Sequence, residues 1–206
     1  ECCPSVGHQR VLGCSAAAAQ ATFAGLVALP DRQAMAATLA GRGAEQRSAL
    51  LPLLAEGERR KAGVPPEQTA DWRRAVVAEL LAAAAELAVA EPAVELTGEL
   101  LASYAVALTD LGVRDALWLA IDDGSVAASR LMAELHARLP APYDAGPLFL
   151  FGWSQWRAGN STLAMMAAER VLESQPGYSA AVLLVTAAQR GLDPRTVPAL
   201  SQGRST

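Results

Sequence analysis

The 206-residue chain has the length of one domain, or of one domain with an appendage, and can bury roughly 70% of the surface that its unfolded chain exposes. Its composition, 52% hydrophobic and 18% charged, excludes a disordered chain. The net charge of −4 and a pI near 5.2 disfavour nucleic acid as a partner, because phosphates require a basic face.

The chain also lacks the pattern of a membrane span. The most apolar stretch, 75–90, carries Glu79 and Glu86, whereas a span needs about 18 or more consecutive residues without charge. No signal-peptide pattern is present, so we expect a cytoplasmic protein without a membrane partner. The chain begins with Glu1, and we expect it to be a trimmed piece of a longer protein.

Hydrophobic periodicity and helix-breaking residues divide the chain into three predicted structural regions. Residues 1–14 lack helical periodicity, and we expect an irregular N-terminal segment. Residues 15–194 are predicted to form a single all-helical domain, because apolar residues recur every three to four positions and no useful stretch alternates with period two. Residues 195–206 are predicted to be a flexible tail.

Within the helical domain, prolines, glycines and capping residues predict where helices begin and end. Pro52 is expected either to kink or to divide the third helix. The predicted helices are 15–29, 31–41, 44–61, 66–91, 93–108, 113–121 and 125–139, followed by two in the C-terminal unit.

Two of these helices have clear apolar faces. The helix that follows Pro66 shows an amphipathic stripe made of Trp72, Val76, Leu80, Leu81, Ala84 and Leu87. The next helix is expected to bury one face made of Leu96, Leu100, Tyr104 and Leu108. We therefore predict an all-α fold in which antiparallel helices, joined by short loops, form a bundle or array.

The segment 147–192 has the spacing of a tetratricopeptide-like helix-turn-helix, followed by the start of a third helix. Small residues such as Gly152 and Ala164 let helices approach, Gly159 and its neighbour Asn160 make the turn, and Pro176 stops the second helix. Because a repeat unit rarely buries its faces alone, the upstream helices are expected to serve as its neighbours.

The N-terminal segment carries potential soft-metal ligands, Cys2, Cys3, His8 and Cys14. Zinc takes four such ligands in a tetrahedron, but adjacent cysteines rarely both bind one ion and the spacing fits no common knuckle. Free thiols are the favoured interpretation, and a disulfide from Cys14 is disfavoured in a reducing cytoplasm. Apart from this zinc hypothesis, we expect no cofactor.

A dense acidic cluster with an arginine inside it forms a second candidate site, made of Asp110, Arg114, Asp115, Asp122 and Asp123. Close carboxylates can hold a divalent cation or share a proton. The structural interpretation is favoured: Asp110 caps a helix, Asp122-Asp123-Gly124 forms a turn, and Arg114 pairs with an acidic neighbour. Arg114 and Asp115 remain candidate binding residues.

Trp153 and Trp156 lie three positions apart, hence on one helix face. They fill the core between repeat helices or line a peptide groove, and the core is favoured. Gln155 and Arg157 are expected on the concave face that meets a partner. His136 is predicted to be a surface or boundary residue.

No phosphate loop, nucleophile elbow or other catalytic motif occurs in the sequence. The leading hypothesis is therefore a helical protein-interaction or scaffold module, which binds a protein partner or its own N-terminal half. The alternative is part of an enzyme whose active site lies mostly in a missing N-terminal half. A third interpretation is a structural domain that stabilises a homodimer.

Several segments together resemble the actinobacterial domain-of-unknown-function family DUF4192. The residues that carry the resemblance are Cys2-Cys3-Pro4, Gly7, Ala18 and Gln20 to Gly25 leading to Leu29-Pro30, Leu108-Thr109-Asp110, Val113 to Asp115, Gly152-Trp153, Trp156, Gly159-Asn160, Pro176-Gly177-Tyr178, Gly191-Leu192 and Pro194. The resemblance implies a bacterial, cytoplasmic protein and longer relatives with a mixed α/β N-terminal half. It implies no activity and no catalytic residue.

Overall fold

The computed structural model describes residues 32–89 and 96–200. The chain divides after Thr38 into two units, each considered by itself. Helix α1, Arg32–Thr38, is the described element of the first unit. The predicted domain 15–194 therefore covers parts of both units.

In the described part of the second unit, every regular element is helical and no strand occurs, which confirms the all-α prediction. The helices are α2 (Ala44–Ser48), α3 (Leu51–Ala62), α4 (Thr69–Val89), α5 (Gly98–Ala107), α6 (Leu111–Asp122), α7 (Ser129–Arg138), α8 (Ala145–Arg157), α9 (Ser161–Ser174) and α10 (Ser179–Gln189), with a 3-10 turn at Pro66–Gln68 before α4. None of the described helices combines the length and the apolar composition that crossing a bilayer demands.

The ends of the helices are set by proline, glycine and capping side chains at those positions. Pro52 lies in the first turn of α3 and divides the predicted third helix, because its ring and missing N–H suit a helix start and not a helix interior. Asp110 caps α6, as predicted, and accepts hydrogen bonds from the N–H groups of Gly112 and Val113 at 2.9 and 3.2 Å. Gly159, with φ of +87°, makes the left-handed turn between α8 and α9.

The predicted start of the helix after Gly124 was wrong. Residue Ser125 was predicted to begin a helix that in the structure begins at Ser129. The carboxylate of Asp123 accepts hydrogen bonds from the Ser125 backbone N–H, at 2.9 Å, and from its hydroxyl. This Asx-type turn holds the chain outside the helix for several residues after Gly124.

The apolar face of α5 differs from the predicted one. Leu96, Tyr104 and Leu108 are buried as expected, but Leu100 is 41% exposed and Leu101 is fully buried in its place. Leu96 lies before the first residue of α5. A four-residue spacing counted from Leu96 therefore does not identify the buried face of this helix. The prediction for Leu100 was wrong by one position. Residues 90–95, which include the end of the predicted helix 66–91 and the start of the predicted helix 93–108, lie outside the described residues.

The helices of the second unit pack against each other along the chain. Helix α4 contacts α6 and α7, α3 contacts α5, and α8 contacts α6, α7, α9 and α10. A Cβ atom at Gly152 in α8 would lie 3.1 Å from Ala167 Cβ and 3.3 Å from Leu184 Cδ2. Glycine thus lets α9 and α10 approach α8 closely, as predicted. The likeness of this unit to a tetratricopeptide repeat stays a prediction.

Candidate functional site

The two tryptophans predicted to line a groove or fill the core are buried: Trp153 is 3% exposed and Trp156 is 1% exposed. Trp153 makes an edge-to-face contact with Trp118 of α6 at a centroid distance of 4.9 Å, and its centroid lies 5.0 Å from that of Trp156. Both side chains are therefore core residues and are not available to a partner.

Arg157 is tied into a buried polar network with Asp122, the last residue of α6. Its Nε donates to Asp122 Oδ1 at 2.7 Å, and the indole N–H of Trp153 donates to the same oxygen at 2.8 Å. Arg157 Nη1 also donates to the carbonyl oxygens of Pro194 and Val197 at 2.6 and 2.9 Å. The guanidinium thus links α6, α8 and the C-terminal segment.

The network extends to the C-terminal region. The backbone N–H of Leu200 donates to Asp122 Oδ2 at 2.5 Å, so backbone groups of residues 194, 197 and 200 all bind the Asp122–Arg157 pair. The flexibility of residues 195–206 stays a prediction. Residues 201–206 of the predicted tail lie outside the described residues.

Gln155 and Arg157, which were predicted to lie on a concave face that meets a partner, are both half-buried and bonded within the unit. Gln155 Nε2 donates to Ser129 Oγ at 2.8 Å, and its Oε1 accepts from Asn160 Nδ2 at 3.3 Å. The side chains of Gln155 and Arg157 thus bind the first residue of α7, the last residue of α6 and the C-terminal segment.

The acidic cluster of the sequence does not converge in space on one site. Asp110 pairs with Arg73 of α4 through two hydrogen bonds of 2.8 and 2.9 Å, whereas Asp122 binds Arg157 and Asp123 binds Ser125. Among the described residues no group of three or more histidine, cysteine, aspartate or glutamate side chains is arranged to hold a metal ion. The predicted ligands Cys2, Cys3, His8 and Cys14 lie outside the described residues.

The Asp110 carboxylate is held in its charged form. Partial burial alone would raise its pKa, but hydrogen bonds from Arg73 and from the backbone N–H groups of Val113 and Gly112, together with the charge of Arg73, keep the pKa below its usual value. Asp110 therefore has a structural role: it caps α6 and forms an ion pair with Arg73 of α4. The bridge to Arg73 was not predicted.

His136 was predicted to be a surface or boundary residue, but the structure buries it, with 4% of the residue exposed. It shares the buried face of α7 with Leu131, Met132 and Leu135, and its Nε2 lies 3.0 Å from the carbonyl oxygen of Leu39, to which it donates. Burial lowers the pKa of His136; the bond to Leu39 opposes that shift. The imidazole is thus a neutral core group.

A groove of about 590 Å³ lies where the end of α5, the start of α6, the loop before α8 and the turn before α10 meet. We call it the Arg114 groove. Its walls consist of Ala105, Leu108, Thr109, Leu111, Arg114, Pro142, Tyr143, Ala145, Gly146, Gln175, Pro176, Gly177, Tyr178 and Ser179.

Arg114 is the charged residue among the described side chains that line this groove. Its side chain is 13% exposed, and its guanidinium carbon lies 5.3 Å from the centre of the Tyr178 ring, over which it stacks. Arg114 Nε and Nη2 donate to Asp115 Oδ1 at 2.9 and 2.6 Å. The structure therefore brings Arg114 and Asp115 together, but at a groove and apart from the other predicted site residues.

Tyr178 and Leu111 are groove residues that the sequence reasoning missed. Burial raises the pKa of Tyr178, and the neighbouring Arg114 opposes that shift without reversing it, so the hydroxyl remains a donor at neutral pH. Leu111, at the groove edge, is 62% exposed although it is a large apolar residue. One signal was available, since Pro176-Gly177-Tyr178 is among the runs that carry the family resemblance.

A second, smaller groove of about 280 Å³ lies between α3, α4 and α5. Among the charged residues that line it, Glu56 accepts from Arg60 at 3.1 Å, and Lys61 Nζ donates to Thr109 Oγ1 at 2.6 Å.

The described residues form an all-helical protein in which many polar side chains pair with one another. The larger of the two grooves combines an arginine, a tyrosine and an exposed leucine. The family model of a domain of unknown function, DUF4192, matches residues 1–195, and the chain belongs to this family. No curated protein and no solved structure matches the chain.

Proposed function

We propose that this chain is a helical protein-interaction module and that the Arg114 groove holds a segment of a partner protein. The observation that carries the proposal is the composition of this groove. It combines an exposed apolar residue at its edge, Leu111, with the partly buried Arg114 and Tyr178. Arginine and tyrosine are enriched among the residues that dominate protein–protein binding energy.

The geometry of the groove supports a peptide as the occupant. Its walls come from two helix ends and two connecting segments, so its shape is fixed by packed helices while its lining comes largely from loops and turns. Gln175, whose Nε2 donates to the carbonyl oxygen of Pro142 at 3.2 Å, keeps its Oε1 as an acceptor that can fix the register of a bound backbone. In this proposal the module is the C-terminal part of a larger protein from an actinobacterium and works in the cytoplasm, as the family resemblance implies.

A selection from a displayed library of random linear peptides tests the proposal. Peptides that bind the chain are synthesised with a fluorescent label, and their Kd is measured by anisotropy. The same titration is made on Leu111→Gln and on the matched control Leu51→Gln. Leu51 is also the first residue of a helix, is 50% exposed, and lies outside the Arg114 groove.

We expect Leu111→Gln to weaken binding by about tenfold or more, because burial of a leucine side chain contributes about 1.5–3 kcal/mol. Leu51→Gln should leave the Kd unchanged, and both variants should melt as the parent protein does. Absence of any selected peptide, or equal effects of the two variants, would contradict the proposal. Self-association in light scattering that Leu111→Gln abolishes would identify a second copy of the chain as the occupant instead.

A further inference from the structure

We infer that the Arg114 groove selects peptides that carry an acidic side chain, whose carboxylate pairs with the Arg114 guanidinium. The inference rests on the proposed function, since it names the chemistry of the partner segment that the groove accepts. It depends on three features of the groove: its charge, the donors that Arg114 has available, and the apolar surface beside them.

The charge of the groove lining is complementary to an anion. Of the described residues that form its walls, Arg114 alone carries a charge, and no acidic side chain is among them. Because Arg114 is only 13% exposed on its side chain, its charge is screened less by water than that of a surface arginine. Asp115, which pairs with Arg114, is not among the groove walls, so the lining itself presents a guanidinium and no carboxylate.

Arg114 retains donors for such a ligand. A guanidinium has five N–H donors, and Asp115 engages Nε and Nη2 through one oxygen, Oδ1. The N–H donors of Nη1 are not used by Asp115, so a ligand carboxylate can bind them while Asp115 keeps its bonds. Arg114 thus stays paired before and after the ligand binds, which avoids a buried unpaired charge.

Tyr178 fixes the direction in which these donors point. Its ring stacks under the guanidinium, with the guanidinium carbon 5.3 Å from the ring centre, and the ring itself packs on Phe149 at a centroid distance of 5.5 Å. A planar guanidinium held in this way presents a fixed fork to a planar carboxylate. Preorganisation of this kind reduces the side-chain entropy that binding would otherwise cost.

The apolar surface beside Arg114 favours a peptide over a free small carboxylate. Leu108 and Ala105 line the groove wall, and the largely exposed Leu111 lies at its edge. A segment with an aliphatic side chain next to its acidic residue covers this apolar surface while the carboxylate reaches Arg114. A free carboxylate would use the guanidinium and leave the leucine exposed.

An array of matched octapeptide pairs tests the inference, each pair differing only in glutamate or glutamine at a central position. Bound protein is read by fluorescence for the full chain, for Arg114→Gln and Arg114→Lys, and for the control Arg195→Gln. Arg195 has a side chain that is 85% exposed and lies outside the groove. Thermal melts of each variant establish that it is folded, and free glutamate serves as a soluble competitor.

We expect the glutamate member of the binding pairs to bind about tenfold more tightly, as a charge-assisted bond to a shielded arginine implies. The preference should vanish in Arg114→Gln, persist in part in Arg114→Lys, and be unchanged in Arg195→Gln. Equal binding of both members with continued dependence on Leu111 would overturn the inference and leave the proposed function standing. Absence of binding to either member would overturn both, and displacement by free glutamate at micromolar concentration would identify a small carboxylate as the ligand.

Discussion

The guanidinium of Arg157 and the carboxylate of Asp122 form a buried ion pair, with Nε 2.7 Å from Oδ1 and the Asp122 side chain 1% exposed. The pair joins the end of α6 to the end of α8, and the same two side chains bind backbone groups of residues 194, 197 and 200. The ion pair thus links the two helix ends to the chain beyond α10.

Replacement of Arg157 by alanine should destabilise the protein strongly, because it leaves the Asp122 carboxylate buried without its cation. Loss of one partner of a buried pair typically costs about 3–5 kcal/mol. Urea denaturation measures the loss, and amide exchange should accelerate at Leu200, whose N–H binds Asp122. The control Arg195→Ala, in an exposed pair with Asp193, should not shift the midpoint. Equal midpoints for the two variants would mean that the pair contributes nothing.

Gly152→Ala should lower stability although alanine is the better helix former. The added Cβ would lie 3.1 Å from Ala167 Cβ and 3.3 Å from the Ala164 carbonyl oxygen, so α8 and α9 would have to separate. We expect a loss of about 1–3 kcal/mol in chemical denaturation. Gly146→Ala in the same helix is the control, since its nearest contact would be an ordinary 3.5 Å, and it should cause no loss. A stable Gly152→Ala protein would refute the close approach of these helices.

Asp110→Ala should cost more than Asp110→Asn. Alanine removes both the helix cap on Gly112 and Val113 and the ion pair with Arg73, a loss of about 0.5–2 kcal/mol from the cap alone, whereas asparagine keeps the cap. Because the pKa of Asp110 is lowered in the folded state, its charged form contributes stability above its unfolded pKa. That contribution is lost as the pH falls through the folded pKa.

Denaturation midpoints at neutral and acidic pH check the Asp110 prediction. The exposed Asp71, which pairs with Arg74 within the first turn of α4, provides a control, and Asp71→Ala should have no measurable effect. If Asp110→Asn and Asp110→Ala unfold at the same denaturant concentration, the cap does not act as described.

Acidification should destabilise the protein through His136. Burial lowers the pKa of this histidine in the folded state, so between that lowered value and about 6.5 the unfolded chain binds more protons. Stability is therefore fully present above the unfolded pKa and falls as the pH drops towards the folded pKa. Arg170 and Arg47 add to this effect, whereas Asp144 and the bond to Leu39 reduce it.

The pH effect is measured as the change in denaturation midpoint from pH 7.5 to 5.5. His136→Gln should flatten the change, because glutamine does not titrate. A parent-like pH dependence in His136→Gln would assign the effect to other groups.

The helix content was predictable because it depends on local chemistry. Val76, Leu80, Ala84 and Leu87 recur along α4 at three- and four-residue spacing, and all four are buried. The division at Pro52 and the cap at Asp110 follow from side chains acting on their immediate neighbours. These interactions join residues that lie only a few positions apart in the sequence.

The groove and the buried network could not be predicted in this way, because they join residues that are distant in sequence. Asp122 and Arg157 are 35 positions apart, and Arg73 and Asp110 are 37 positions apart. The buried face of α5 was predicted wrongly at Leu100 for a related reason. The pattern that predicted Leu100 to be buried was counted from Leu96, which lies before the helix. Only the packed arrangement of helices decides such contacts.

The site of peptide attachment tests the central claim most directly. A selected peptide that carries a benzophenone side chain is irradiated with the protein, and the modified residues are identified by mass spectrometry. The proposed function predicts adducts at 105–114, 142–146 and 175–179, the walls of the Arg114 groove. Adducts confined to another surface, such as the exposed face of α10 around Val182, would contradict it.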